Sequence, residues 1–124
     1  NHARLCVALV TVCGNAMREV LRTQFPSAHK DFLQTILARF DLSLLYTHIR
    51  NGSTVPAPLT GWGNDPQDQP RDRSLGASVE RIRSYRNHII GHSIDGKISQ
   101  NEFEDYWIKI DVVLDDIEHA LGRQ

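Results

Sequence analysis

The residue types most able to do chemistry in this sequence lie together in the segment Arg86-Asn87-His88-Ile89-Ile90-Gly91-His92. Histidine titrates near neutral pH, so His92 could accept or release a proton. Arg86 stays charged and could clamp two oxygens of a phosphate through its planar fork of N–H donors. Asn87 could orient either the imidazole or the phosphate. Arg86, Asn87 and His92 are therefore the candidate catalytic residues.

Ordinary structural roles explain the same residues about as well. Arg86 could pair with an acid on the last helix, and His92 could cap the end of its own helix, where positive charge is favoured. Asn87 could satisfy backbone groups near that end. His88 and His92 are four apart, but no third ligand stands at a suitable spacing. The sequence therefore predicts no metal site and no cofactor.

The next segment, residues 94–103, resembles half of a calcium-binding EF-hand loop. With Gly96 as the required glycine, Asp95 takes position 5 and Glu102 takes position 12, but Gly91 falls at position 1, where a carboxylate is needed. Two carboxylates are too few for calcium, so we read a tight turn at Asp95 and Gly96. A helix cap follows, in which Ser99 and Glu102 form a capping box.

Helical periodicity surrounds these residues on both sides. A first helix is predicted over about residues 2–24, and a second segment carries Phe32, Leu33, Ile36, Leu37 and Phe40. Asp41 is a plausible N-cap for a short helix over Leu42 to Arg50, which Asn51 and Gly52 close. Helical pattern resumes at Ser74 and ends at Gly91. The last helix carries the apolar stripe Phe103, Trp107, Ile110, Leu114, Ile117 and Leu121.

Residues 51–73 form one long loop rich in proline and glycine, which is unusual inside a compact domain and is often functional. Trp62 is its one large apolar residue. We expect Trp62 to pin the loop to the helices rather than to stack on a nucleic-acid base. The predicted fold is all-α: one domain over residues 1–124, an up-and-down bundle of four to five helices with this loop.

Composition excludes several classes of protein. The chain has 124 residues, of which 40% are apolar and 23% charged, as in a soluble globular domain. Its longest apolar run is too short to span a membrane. Cys6 and Cys13 cannot form a disulfide framework and suit reduced, packed thiols in the cytoplasm. No Met precedes the first residue, so we expect a piece of a larger protein.

Charge is unevenly distributed along the second half. Residues 71–97 hold six basic and three acidic groups, a net of +3, whereas residues 98–124 hold seven acidic and two basic groups, a net of −5. Such faces commonly pair between neighbouring helices. A local basic strip could instead meet a phosphate, although the net charge of −1 argues against nucleic-acid binding across the whole surface.

The arginine, the polar residue after it and the histidine six positions on, at the end of a helix in an all-helical chain, resemble the HEPN superfamily (higher eukaryotes and prokaryotes nucleotide-binding). The context narrows the resemblance to one animal branch. That branch occurs in the DAZ-interacting zinc-finger E3 ubiquitin ligase and in multidomain proteins of the innate immune-receptor type. The resemblance covers about residues 30–121 and rests on residues 40–46, 58–62, 82–93 and 103–107.

The resemblance implies a metal-independent endoribonuclease with a composite site at a homodimer interface. Arg86, Asn87 and His92 match the motif, and Arg81, Arg83 and His88 are the candidate RNA-binding residues beside it. Geometry also favours a dimer. On an ideal helix Arg86 and His92 lie about 240° apart, so within one chain they converge only if the helix breaks at Gly91 and His92 swings back.

Two functions remain open at this point. The first is an RNA-processing or RNA-binding module that takes single-stranded RNA. The second is a non-catalytic dimerisation or protein-interaction module of a larger signalling protein or E3 ligase, in contact with its other domains and not with a membrane. The resemblance does not separate them, and the sequence leaves catalytic activity undecided.

Overall fold

Four α-helices build the part of the chain that the computed structural model describes, which comprises residues 2–24, 41–94 and 98–122. Helix α1 spans His2–Gln24, α2 spans Leu42–Gly52, α3 spans Leu75–Ile94 and α4 spans Gln100–Ala120. A short 3-10 turn, Pro66–Asp68, lies between α2 and α3. These residues include no strand, so the predicted all-α bundle is confirmed. The segment around Phe32 to Phe40 lies outside the described residues.

Helices α1 and α3 form the centre of the bundle. They contact each other, and each of them also contacts α2 and α4. Burial of the apolar stripes of all four helices drives this arrangement. The core includes Leu9, Cys13, Met17, Val20 and Leu21 of α1, Leu42, Leu45, Tyr46 and Ile49 of α2, Val79, Ile82 and Ile89 of α3, and Phe103, Ile110, Val113 and Ile117 of α4.

The predicted caps are present. The Asp41 carboxylate accepts a hydrogen bond from the Leu44 N–H at 2.9 Å, at the start of α2. At the start of α4 the Ser99 hydroxyl accepts from the Glu102 N–H at 3.1 Å, and the Glu102 carboxylate accepts from the Ser99 N–H at 3.4 Å. Each cap satisfies backbone N–H groups that have no partner inside the helix.

The prediction that α3 ends at Gly91 is wrong, because the helix continues through Gly91 to Ile94. Gly91 is not among the glycines with positive φ. An interior glycine costs only about 1 kcal/mol relative to alanine, so glycine permits a helix end without enforcing one. The predicted turn at Asp95 and Gly96 lies outside the described residues.

The apolar stripe predicted for the last helix is correct except at one position, Trp107. Phe103, Ile110 and Ile117 are buried, but Trp107 is 50% exposed. Val113, which the predicted stripe omits, is buried instead. Trp107 lies at the margin of the buried face and stacks on Phe103, with ring centroids 6.4 Å apart.

The α2–α3 loop (residues 53–74) is held against the helices by its own side chains. Trp62 is half-buried, packs against the core and meets the ring of Tyr46 edge-on, with centroids 6.2 Å apart. The expectation that Trp62 pins the loop is therefore confirmed. Near the end of the loop, the Asp72 carboxylate accepts a hydrogen bond from the Leu59 N–H at 2.9 Å. Burial raises the pKa of Asp72, but this bond and those from Ser74 outweigh it and leave the pKa below its ordinary value.

The loop also crosses the first turn of α3 at very short range. A Cβ on Gly76 would lie 2.4 Å from the carbonyl oxygen of Pro56 and 3.0 Å from the nitrogen of Pro58. Only glycine leaves room for this approach. The loop and the start of α3 are therefore packed backbone against backbone.

The two oppositely charged segments are in contact where Arg73 and Asp116 form an ion pair at 2.9 Å. This pair is one instance of the predicted contact between the basic and acidic segments, although Arg73 lies in the loop before α3 rather than on a helix. Cys13 is buried and free, as predicted, whereas the side chain of Cys6 lies outside the described residues. None of the described helices is long and apolar enough to cross a membrane.

Candidate functional site

Arg86 and Asn87 are in direct contact on the second half of α3. The Arg86 guanidinium donates a hydrogen bond from Nη1 to Asn87 Oδ1 at 3.0 Å. Asn87 is exposed, whereas Arg86 is only partly so. The Nε atom of Arg86 is buried and has no hydrogen-bond partner among the described residues. This guanidinium therefore retains a free N–H donor. A buried N–H without a partner is costly, so a ligand that accepted this hydrogen bond would be stabilised.

Arg86 also lies close enough to α1 for its charge to affect the pKa of the buried Cys13 thiol. Burial raises the pKa of Cys13 to about 11, and the positive charge of Arg86 opposes that rise. The guanidinium is thus near the interface between α1 and α3 rather than fully in solvent. Packing between the two helices therefore restricts the position of the Arg86 charge.

His92 follows on the same helix, and the helix break at Gly91 that would let it converge with Arg86 within one chain is absent. Because α3 runs on to Ile94, the backbones of Arg86 and His92 keep their helical separation of about 240°. The two residues therefore lie on different faces of one chain. The side chain of His92 lies outside the described residues.

The structure brings Arg81 and His88 together, two turns apart on α3, at the edge of one open groove of about 430 Å³. We call it the α3–α4 groove. It is lined by Asp65, Pro66, Gln67 and Pro70 of the loop, Arg81, Ser84, Tyr85 and His88 of α3, and Tyr106 and Lys109 of α4. Three separate elements therefore contribute to it.

Aromatic rings form one side of the α3–α4 groove. The ring centroids of Tyr85 and Tyr106 are 6.2 Å apart, and those of His88 and Tyr106 are 6.4 Å apart. Burial raises the pKa of both tyrosines. Both hydroxyls consequently stay protonated at neutral pH and can donate as well as accept hydrogen bonds.

Positive charge at the groove comes from α3 and α4. Lys109 lies 5.6 Å from the centroid of the Tyr106 ring and forms an ion pair with Asp105 at 2.9 Å. The hydrogen bond with Asp105 is the main reason that the pKa of Lys109 is raised, although partial burial acts against it. Arg81 donates to the backbone oxygen of Gln69 at 3.1 Å.

Arg83 is placed elsewhere, in a buried polar cluster with Glu80, Tyr46 and Gly63. The Glu80 side chain is fully buried and accepts hydrogen bonds from Arg83 Nε at 3.1 Å, from the Gly63 N–H at 2.8 Å and from the Tyr46 hydroxyl. The Arg83 guanidinium lies 4.7 Å from the centroid of the Tyr46 ring. Arg83 balances a buried carboxylate here and does not line the α3–α4 groove.

Of the residues that line the groove, sequence reasoning singled out only Arg81 and His88. Among those it missed are Tyr106 and Lys109 of α4. The last helix was read for its core stripe and its acidic charge, and neither feature points to these side chains. Their spacing of three residues puts them on one side of α4, beside the buried stripe. That signal was in the sequence, but only the packing of α4 against α3 shows which element they face.

A scan against protein-family models matches residues 14–122 to DZIP3/hRUL138-like HEPN. The match covers most of the chain. The chain belongs to this HEPN family. The HEPN resemblance drawn from Arg86, Asn87 and His92 and their context is thereby confirmed, as is its assignment to the ubiquitin-ligase branch.

Two curated relatives are similar to this HEPN chain over a shorter stretch. They are the E3 ubiquitin-protein ligases DZIP3 of Homo sapiens and Mus musculus, each 29% identical over 76 residues, or 61% of this chain. The aligned stretch is 6% of each ligase, so this HEPN domain corresponds to a small part of those proteins. No solved structure matches the chain.

The described residues of the HEPN domain include no group of three or more His, Cys, Asp or Glu side chains that could hold a metal ion. The chemistry available at the described positions comes instead from the guanidinium–amide pair of Arg86 and Asn87 and from the cations and rings of the α3–α4 groove. Both groups of residues suit an anionic ligand with phosphate oxygens.

Proposed function

We propose that this HEPN domain is an RNA-binding and RNA-processing module that takes single-stranded RNA. One observation carries the proposal: a single helix, α3, holds the Arg86–Asn87 pair and also brings Arg81 and His88 to one groove. Arginine clamps phosphate oxygens through paired N–H donors. A helix that carries two such arginines and a histidine can contact a phosphate backbone despite the net charge of −1.

Cleavage of RNA needs no metal, because the 2′-hydroxyl is a built-in nucleophile. The reaction needs a base to remove the proton of that hydroxyl, an acid to protonate the leaving 5′-oxygen, and positive charge on the phosphate. In our proposal His92 moves a proton and Arg86 stabilises the charge of the phosphate. Asn87 holds the guanidinium in place through its side-chain oxygen.

The proposed catalytic unit is a homodimer. Arg86 and His92 lie on different faces of the uninterrupted helix α3, and one histidine does not readily serve as base and acid together. Two copies related by a two-fold axis would supply two arginines and two histidines to one phosphate. The dimer therefore meets both requirements of the chemistry.

The first test is cleavage of a single-stranded RNA in EDTA by the wild type and by the Arg86→Ala and His92→Ala variants. We expect cleavage that survives the chelator and leaves a 2′,3′-cyclic phosphate. Each substitution should lower the rate at least about 100-fold, since His92→Ala removes a general acid–base group and Arg86→Ala removes charge stabilisation of the phosphate. The His119→Ala variant is the matched control, since His119 is exposed near the end of α4.

Equal cleavage by all four proteins would assign the activity to a contaminant and contradict the catalytic proposal. RNA binding measured on the same samples at two salt concentrations separates binding from chemistry. Binding that weakens with salt but is not followed by cleavage would leave a binding module without nuclease activity.

The second candidate, a non-catalytic dimerisation or protein-interaction module, is favoured by a different observation. Helix α4 exposes Trp107, Ile108 and Val112, with 50%, 62% and 45% of each residue accessible. Light scattering on the wild type and on Ile108→Glu tests this candidate. It predicts a dimer that the substitution breaks, with no RNA binding by either protein.

The setting of the domain is also proposed rather than shown. We propose that it works in the cytoplasm as part of a larger ligase or of a protein of the innate immune-receptor type. The relatives named above are E3 ubiquitin-protein ligases, which supports the first of these settings.

A further inference from the structure

Hydrogen bonds between the loop and α3 fix the shape of the α3–α4 groove. The Ser84 hydroxyl donates to Asp65 Oδ2 at 2.8 Å, and Arg81 donates to the backbone oxygen of Gln69 at 3.1 Å. Behind them, the buried Glu80 carboxylate fixes the loop through the Gly63 N–H. The loop wall is thus tied to α3 at three points before any ligand arrives, which lowers the cost of ordering it on binding.

The size and lining of the groove restrict what it can hold. Its volume of about 430 Å³ lies at the small-ligand end of binding sites, which span roughly 300–1,000 Å³. One side presents the rings of Tyr85, Tyr106 and His88, and the cations of Arg81 and Lys109 stand beside them. A flat ring joined to a phosphate satisfies both features at once, because bases stack on aromatic side chains and phosphates pair with cations.

Lys109 already has partners within the protein. Its ammonium group pairs with Asp105 at 2.9 Å and lies over the Tyr106 ring at 5.6 Å. Both side chains are well exposed, at 47% and 60%, so the pair is weak and can be exchanged for another anion. A phosphate that drew Lys109 away from Asp105 would also uncover the face of the Tyr106 ring.

We propose that the α3–α4 groove holds one nucleotide unit of single-stranded RNA, with its base against Tyr106 and its phosphate between Arg81 and Lys109. Asp105 holds Lys109 until the phosphate displaces it, and so lowers the affinity. This inference rests on the proposed RNA binding and adds to it a defined subsite, which lies apart from the Arg86–Asn87 pair.

The test is fluorescence anisotropy with a labelled single-stranded RNA of eight nucleotides and the complete 124-residue chain. Tyr106→Ala should weaken binding about 10-fold, as loss of one stacking platform does. Lys109→Gln should weaken binding and lower the slope of log affinity against log salt by about 0.7, the value for one phosphate contact on a single strand. Lys109 is exposed, so this second variant does not depend on refolding of the core.

Asp105→Asn should tighten binding about two- to five-fold, in line with the strength of an exposed ion pair. Asp111→Asn is the matched control, because it removes the same charge from an exposed position of α4 that does not line the groove. In a Lys109→Gln background the Asp105→Asn effect should disappear, which distinguishes release of Lys109 from a general gain in charge.

The outcomes separate the two proposals. RNA binding that Tyr106→Ala and Lys109→Gln leave unchanged would overturn the subsite and leave the proposed function standing. Equal tightening by Asp105→Asn and Asp111→Asn would overturn the role of Asp105. Absence of any RNA binding by the wild type would overturn the proposed function and the subsite together.

Discussion

At the scale of single residues, Glu80 is a carboxylate that is fully buried. Its two oxygens receive hydrogen bonds from Tyr46, Gly63 and Arg83, which belong to α2, the loop and α3. A buried carboxylate is tolerable only when its charge and lone pairs are satisfied in this way. Glu80 is thus the residue at which three parts of the chain are fixed relative to one another.

Tyr46 gives this cluster a measurable dependence on pH. Burial, and then the hydrogen bond and negative charge of Glu80, raise the pKa of the Tyr46 hydroxyl above its ordinary value of 10.0. The folded state keeps this proton more tightly than the unfolded chain. The stabilising contribution is therefore complete below about pH 10 and is lost as the pH rises through the folded-state value.

We predict that Tyr46→Phe lowers the free energy of unfolding by about 1–3 kcal/mol at pH 7, since a buried acceptor loses a donor. The variant should also lose less stability than the wild type between pH 9 and pH 11. Urea denaturation at several pH values measures both effects. Parallel losses of stability in the two proteins over this range would contradict the role assigned to Tyr46.

At the scale of elements, two glycines of α3 have opposite surroundings. A Cβ on Gly76 would collide with the backbone of the loop at Pro56, whereas a Cβ on Gly91 would meet nothing within 4 Å. Both glycines lie inside the helix, so alanine improves the intrinsic helix propensity at both positions by about 1 kcal/mol. The difference between the two substitutions therefore measures the contact between loop and helix.

We predict that Gly91→Ala raises the melting temperature by a few degrees, in line with about 1 kcal/mol for a domain of this size. Gly76→Ala should lower it, because a backbone atom 2.4 Å away must move. Thermal melts followed by circular dichroism compare the two variants. A destabilising Gly91→Ala would mean that the helix ends at Gly91 after all, since alanine is strained at a left-handed C-terminal position.

At the scale of the whole molecule, α1 contributes several fully buried apolar side chains to the core and contacts the other three described helices. Met17 is fully buried in this central helix, whereas Leu59 on the loop is 78% exposed. The bundle should consequently unfold as one unit when its centre is weakened.

We predict that Met17→Ala lowers the free energy of unfolding by about 2–5 kcal/mol, the usual range for a large apolar side chain removed from a core. Leu59→Ala should change it by less than about 0.5 kcal/mol. Chemical denaturation monitored by tryptophan fluorescence and by circular dichroism should give coincident transitions for each protein. A smaller loss for Met17→Ala than for Leu59→Ala would show that α1 is not central to stability.

The sequence by itself determined the described helices apart from the end of α3, their caps and the family. Periodic apolar residues and short-range hydrogen bonds, such as those at Asp41 and Ser99, act within a few residues and can be read from the chain. The motif of Arg86, Asn87 and His92, with its context, likewise sufficed to indicate the HEPN family that the comparison confirmed.

Only the tertiary structure decided where these residues act. It showed that α3 continues past Gly91, that Arg83 is committed to Glu80, and that Tyr106 and Lys109 of α4 meet Arg81 and His88 of α3 in one groove. Glycine allows a helix to end or to continue at similar cost, and a long-range contact depends on which faces pack together. Local sequence patterns carry little information about either, because the deciding partners are far away in the chain.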